Sequence, residues 1–433
     1  MKKGFQRRSN KTSMVFIGVM FLLVLNQPVY SQETPQSSEP TGSGSFRGPD
    51  SAGNRIQSDR AEKDSVFDFN FSRSYYEWKD QLQEEYGYSF GASYIPIYFK
   101  ASDSLPGKDD YASSAVFRFF GRWELLGRGT ETMGSLNYLF EHRHPYADTT
   151  PTPFSIDNIG NAGAIGIPFD RDKWHLTNLY WDQSWQDGQF EIFAGWLDVT
   201  DFVDVYPLTS PWTDYSNFVF SIGAATMDLP DDAAMGLAAG TWLNDTTYMM
   251  AGFEDLNSDP GDPMEGFDTF FNDNEYFKHI EIGWTGSGKE QYYLDNFHIT
   301  LWHSDQRDES GVEDGWGTFL SYSRPIGEQW LLFARGGFAD DGGSLLDRSV
   351  SMGGGYQPDG TDDWLGFGVN WGQPNDNLFG SGLDDQYATE VYYRMQVTKE
   401  LAITPDIQLL IDPALNPEEN HIWVFGLRAR LAF

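Results

Sequence analysis

The chain has 433 residues and a formal net charge of -35, with 64 acidic against 29 basic side chains and no cysteine. Without thiols it has no disulfide staples, thiolate metal sites or cysteine nucleophiles. The acidic balance argues against non-specific nucleic-acid binding, which needs lysine and arginine on phosphates. Mean hydropathy is -0.48, yet aromatics reach 16% and glycines number 45, a load that suits sheets better than helix interiors.

The first 31 residues read as an export signal. Lys2, Lys3, Arg7, Arg8 and Lys11 precede the apolar run Met14–Leu25, and Ser31 stands at a small-residue cleavage position. That run is short for a membrane-spanning helix. Residues 32–72 are rich in Ser, Pro, Gly and charge without period, and predict a flexible linker. In 73–86, Tyr75, Trp78, Leu82 and Tyr86 recur at helical spacing and predict a short amphipathic helix, a lid packed on the segments C-terminal to it.

From 87 to 433 the texture is constant: alternating segments separated by turn residues. Sixteen strands are predicted, at 87–101, 110–126, 132–145, 173–186, 189–198, 234–243, 246–256, 276–286, 291–304, 315–324, 328–340, 347–356, 363–372, 385–398, 400–411 and 420–433. Connections alternate between short (186–188, 244–246, 326–328, 399–400) and long (146–172, 199–233, 257–275, 373–384). A β-sandwich gives no reason for this. A bacterial membrane barrel does, with an even strand count, tight periplasmic turns and long outer loops.

Each strand has one apolar and one polar face, as period-two alternation requires. Phe117, Phe119, Trp123 and Leu125 oppose Arg118, Arg122 and Glu124. Val391, Tyr393, Met395 and Val397 oppose Glu390, Arg394 and Gln396. Trp123, Trp185, Phe190, Trp284, Trp330 and Phe433 end the apolar faces near short turns, as an interfacial girdle would. In the last strand Trp423, Phe425, Leu427, Ala429, Leu431 and Phe433 face lipid, and Val424, Gly426, Arg428 and Arg430 face the pore. The terminal Phe433 resembles the signal by which barrel assembly machinery recognises such chains. The predicted fold is all-β: a transmembrane antiparallel β-barrel in the bacterial outer membrane, in contact with lipid and lipopolysaccharide.

Four stretches in order resemble the carbohydrate-selective porin family OprB: FAGWLDVTDFVDVYPLTS (193–210), LLFARGGFADDGG (331–343), EVYYRMQVTKELAITPDIQLLIDPALNP (390–417) and the final LRARLAF. WKDQLQEEYGYSF (78–90) is similar to the segment that leads into this family's barrel, so the resemblance spans 75–433. It implies a sixteen-stranded channel that passively admits small carbohydrates through an eyelet of arginine, acidic and aromatic side chains. The acidic loop 257–275 and the long N-terminal linker depart from the family pattern. No cofactor is implied.

Alternation gives the expected lumen set: Arg118, Arg122, Glu124, Glu141, Arg143, Arg335, Glu390, Arg394, Asp406, Arg428 and Arg430. Arginine forks can bond two sugar hydroxyls or a carboxylate, or can stiffen the wall as an ion-pair lattice. The loop 199–233 carries Asp201, Asp204, Tyr206, Trp212, Asp214 and Tyr215, which narrow the pore if the loop folds inward. Asp255, Asn257 and Asp259 begin an EF-hand spacing, but Gly261 is one position late and Gly266 replaces the bidentate glutamate. His142 and His144 share a strand face without a third metal ligand, which favours a headgroup or loop contact. The other readings are a general diffusion channel, an enzyme on a barrel and a secreted lectin-like sandwich.

Overall fold

Lipid offers no hydrogen bonds, so a sheet can cross it only when every edge is paired. In this computed structural model, which describes residues 46–67, 73–166, 173–230 and 233–433, sixteen antiparallel strands meet that condition. They are β1 (Tyr88–Ala101), β2 (Tyr111–Leu126), β3 (Met133–Pro145), β4 (Lys173–Trp185), β5 (Phe190–Leu197), β6 (Ala234–Trp242), β7 (Thr247–Asp255) and β8 (Tyr276–Thr285). The second half comprises β9 (Asn296–Ser304), β10 (Gly315–Ile326), β11 (Trp330–Asp341), β12 (Leu346–Tyr356), β13 (Trp364–Pro374), β14 (Gln386–Gln396), β15 (Leu401–Ile411) and β16 (His421–Ala432). Each strand pairs with its chain neighbours, and β1 closes on β16 with Ile97 opposite Arg428.

Fifteen of the predicted strands keep both ends within two residues, and β9 starts five residues late. The cause of the late start is Tyr292. Its ring is fully buried and lies 5.0 Å from Tyr248 and 6.2 Å from Phe46. Residues before Asn296 turn into the barrel instead of extending the wall. The long-loop end has one tight connection, 342–345 between β11 and β12. Gly342 and Gly343 there adopt φ of 72° and 86°, a region costly for side-chain-bearing residues.

The alternation holds around the barrel. Val391 and Ile407 are 49% and 44% exposed, whereas their neighbours Tyr392 and Gln408 are 1% and 0% exposed. Trp123, Trp284, Trp330 and Phe433 form a belt of exposed rings at the short-turn end, and Trp185 stacks on Phe190 at 5.4 Å. Tyr111, Trp174, Trp316, Tyr387 and Trp423 are exposed near the long-loop end. Two aromatic belts around an apolar band are the outer surface of a membrane barrel.

Three expectations need correction. The export signal lies outside the described residues, but 46–67 of the expected flexible linker is ordered. It contains the helix α1 (Ala52–Arg60), whose Ala52 and Ile56 pack on Phe120 and Leu139 inside the barrel. The predicted amphipathic helix is α2 (Arg73–Tyr86), turned from its expected face. It buries Tyr76 and Lys79, and leaves Trp78 and Tyr86 exposed. Lys79 lies over the Phe90 ring at 4.9 Å, so α2 packs on the outer face of β1. The acidic loop before β8 forms a helix, α3 (Glu265–Asn272). Its candidate cation ligands are engaged within the chain: Asp255 accepts the hydroxyls of Ser258 and Thr269, and Asp259 accepts Lys173. His144 meets the Tyr94 hydroxyl at 3.0 Å, and His142 packs edge-on to Trp174.

Val391→Arg on the lipid face should destabilise the folded barrel by about 2–4 kcal/mol, the usual penalty of a midplane cation. Denaturant titration in lipid vesicles measures this, and an unchanged midpoint would place Val391 away from lipid.

Candidate functional site

Three inward segments meet in the lumen. The connection after β3 turns in through Pro151 and a wide turn at Phe154–Ile159, ended by Gly160 at φ 81°. The connection 198–230 after β5 contains three short 3-10 turns, at Val199–Asp201, Phe218–Phe220 and Ile222–Ala225. Asp198 caps the first through the Thr200 N–H, and Asn217 caps the second through the Val219 N–H. The N-terminal segment 46–67 lies at the short-turn end: Phe46 inserts among Trp242, Tyr248 and Tyr292, and the Val66 N–H bonds the Gln396 carbonyl.

The 198–230 segment is pinned from both sides. Asp204 is its fixed point on the β8–β11 wall. Its carboxylate pairs with Arg335 and accepts His298 Nε2 at 2.8 Å and the Gly223 N–H at 2.6 Å. Its backbone N–H donates to Glu281 at 2.8 Å. Arg335 also donates to the carbonyls of Phe220 and Ser221, and lies 4.0 Å from the Tyr206 ring centre. Backbone strain gathers here, with Asp204, Ala224 and Ala225 at φ of 50°, 42° and 66°. Such conformations persist only where surrounding contacts impose them.

Across the lumen, Glu390 accepts the N–H groups of Ser216 and Asn217 at 2.6 and 2.9 Å. Arg428 donates to the carbonyls of Pro211 and Asp214, each at 2.7 Å. Tyr392 donates its hydroxyl to Asp214 at 3.0 Å, and Arg394 reaches the same carboxylate at 3.3 Å. Tyr215 donates to the carbonyls of Gly354 and Phe367. Asp406 is buried beside Gln408, whose side-chain oxygen accepts Asn217.

The β1–β4 wall and β16 hold the third group. Glu141 joins Arg118 at 2.8 Å and Arg143 at 2.6 Å. Arg118 lies 4.5 Å over the Trp212 ring. Arg122 bonds Ser135 and shares Asp182 with Arg47 of the N-terminal segment. Glu124 is half-buried next to the short turn. Asp59 of α1 accepts both Arg430 nitrogens at 2.7 Å. Burial would raise Asp59, yet Arg430 beside it holds its carboxyl below the usual range.

All of the expected wall residues except Glu124 and Arg394 are buried. Their positions follow the alternation, but many of their donors and acceptors are engaged by inward-folded chain rather than open to water. Asp201, Asp204, Tyr206, Asp214 and Tyr215 are buried within the lumen, while Trp212 keeps a partly exposed ring. Sequence reasoning did not find Arg47, Arg55 and Asp59, which sit in a stretch of linker-like composition. It also did not single out Asp182, Glu281 and His298, although their strand positions place them on inward faces.

These contacts can be tested in two ways. Removing one partner of a buried charge pair costs about 3–5 kcal/mol, so Arg335→Met should destabilise the chain by that order and speed amide exchange in 198–230. Unchanged exchange would mean that Arg335 is not the anchor. Burial, then the Asp50 carboxylate, pushes Asp201 up to about 7, and Asn178 at 3.1 Å opposes this. A carboxyl raised on folding stabilises fully below its ordinary value near 4. That contribution is lost as pH rises through about 7. Because the Gly48 N–H bonds the Asp201 carbonyl, segments 46–50 and 198–205 should exchange faster at pH 8.5 than at pH 5.5, after correction for intrinsic rates. Equal protection would refute the coupling.

The model of the carbohydrate-selective porin family OprB matches residues 127–433. The structure of Pseudomonas putida OprB at high pH superposes with a TM-score of 0.64 at 17% identity, covering 83% of this chain and 97% of that one. The low-pH structure of the same protein gives a TM-score of 0.51 at 14% identity, covering 86% and 99%. No curated protein matches the chain by sequence. The neighbours carry the fold and the family model carries the kinship: the chain belongs to the OprB family of carbohydrate-selective porins.

Proposed function

We propose that this outer-membrane porin admits small sugars through a constriction shaped by 198–230 and bordered by Trp212 and Arg394. The observation that carries this reading is the pinning of 198–230 from opposite walls, by Arg335 and Asp204 on one side and Arg428 and Glu390 on the other. Such bracing fixes a narrow opening. Of the aromatic and arginine side chains expected here, Trp212 and Arg394 keep partial exposure. An aromatic face can stack on the apolar side of a pyranose, and a guanidinium can bond two of its hydroxyls. Contacts of this kind offset lost hydration and stay weak enough for release, which passive flux requires.

The family and fold belong to a channel rather than to an enzyme. Export across the inner membrane would use residues 1–31, and assembly would use the outward face of β16 ending at Phe433. The aromatic cluster of Tyr94, His142, His144, Tyr146 and Trp174 at the long-loop rim suits contact with lipopolysaccharide headgroups.

Proteoliposome swelling tests the reading. Vesicles holding the chain should swell in glucose well above protein-free vesicles. Trp212→Ala should slow glucose entry about two- to tenfold relative to potassium conductance, given the roughly 0.5–1.5 kcal/mol of a ring contact. No swelling with any sugar contradicts the proposal.

A further inference from the structure

Between the end of α1 and the wall of β14–β16 lies a cavity of about 210 Å³. Arg55, Lys63, Arg394 and Arg430 line it, together with Trp212 and the hydroxyl-bearing Thr404. Four cations converge here in a chain of net charge -35.

The carboxylates around the cavity are already engaged. Glu62 accepts Lys399 at 3.0 Å and is almost wholly in solvent. Asp362 accepts the Asp64 N–H, and Glu400 accepts the Thr398 hydroxyl. Two of the cations are also bound: Arg430 holds Asp59, and Arg55 holds Asp50 and Ser210. Arg394 is a quarter exposed, and its contact with Asp214 is long at 3.3 Å. Lys63 has no ion pair or hydrogen bond among the described residues. Burial lowers Lys63 to about 8, and Arg430, Arg394 and Arg55 add to this against the pull of Asp59. A partly buried ammonium facing three guanidiniums is an unfavourable arrangement until an anion enters.

We propose that this cavity binds the carboxylate of an acidic monosaccharide, with Lys63 and Arg394 on the carboxylate and Trp212 against the sugar ring. The proposal rests on the porin reading and narrows its substrate class. A neutral sugar adds nothing to the pull of Asp59 on Lys63, and that carboxylate is already held by Arg430. A uronate supplies the missing charge through charge-assisted hydrogen bonds, which are stronger than those to a neutral oxygen.

The test is calorimetric titration of the full chain in detergent with glucuronate, with its uncharged methyl ester and with glucose. Glucuronate should bind about tenfold more tightly than either neutral ligand. Lys63→Met should bring that ratio near one, and Lys63→Arg should keep most of it, with heat-modifiable gel migration confirming that each variant is folded. Equal binding of glucuronate and its methyl ester by the unmodified chain overturns the proposal whether or not the variants fold. A ratio unaffected by Lys63→Met overturns the assigned site. Glucose swelling of proteoliposomes separates the two levels: swelling without uronate preference removes this inference alone, and absence of swelling removes the porin reading beneath it.

Discussion

The contact of Arg335 with Asp204 is the interaction on which the lumen depends. A closed barrel needs only paired strands, and this wall would close without any inward loop. In the function proposed above, the fold of 198–230 across its interior is what would turn a wide tube into a narrow passage. Asp204 fixes that fold by accepting Arg335, His298 and the Gly223 N–H together. Leaving any of these buried groups unpaired would carry a desolvation penalty, so the arrangement holds as a unit. Glu390 and Arg428 complete it from the other side by binding backbone N–H and carbonyl groups of the same segment.

The N-terminal segment obeys the same logic. It is held by a ring and an ion pair rather than by helix propensity. Phe46 fills a pocket of three aromatics, and Asp59 meets Arg430 on β16. The segment therefore occupies part of the short-turn half of the lumen and supplies Arg55 and Lys63 to the basic cavity. Wall, loop and N-terminal segment all contribute side chains to the interior of the barrel.

Period two made the wall legible in the sequence. Phe117 against Arg118 and Val391 against Glu390 were enough to assign faces, because a strand has only two. The lumen contents were less legible. Alternation says that Arg428 points inward, not that the carbonyls of Pro211 and Asp214 wait for it more than two hundred residues away in sequence. Residues 46–67 read as linker because Ser, Pro and Gly carry no period. Their order comes from distant partners such as Trp242, Tyr292 and Arg430. The β9 boundary shifted for a related reason: Tyr292 fits a strand pattern locally, but its ring packs on Tyr248 and Phe46.

The central claim is that lumen charges hold inward segments that set the width of the channel. Single-channel conductance of Asp59→Lys in planar bilayers tests it most directly. A lysine opposite Arg430 replaces attraction with repulsion and should release α1 from the wall while the sixteen strands stay intact. The account predicts a larger conductance than that of the unmodified chain, and an unchanged conductance in a folded barrel would contradict it.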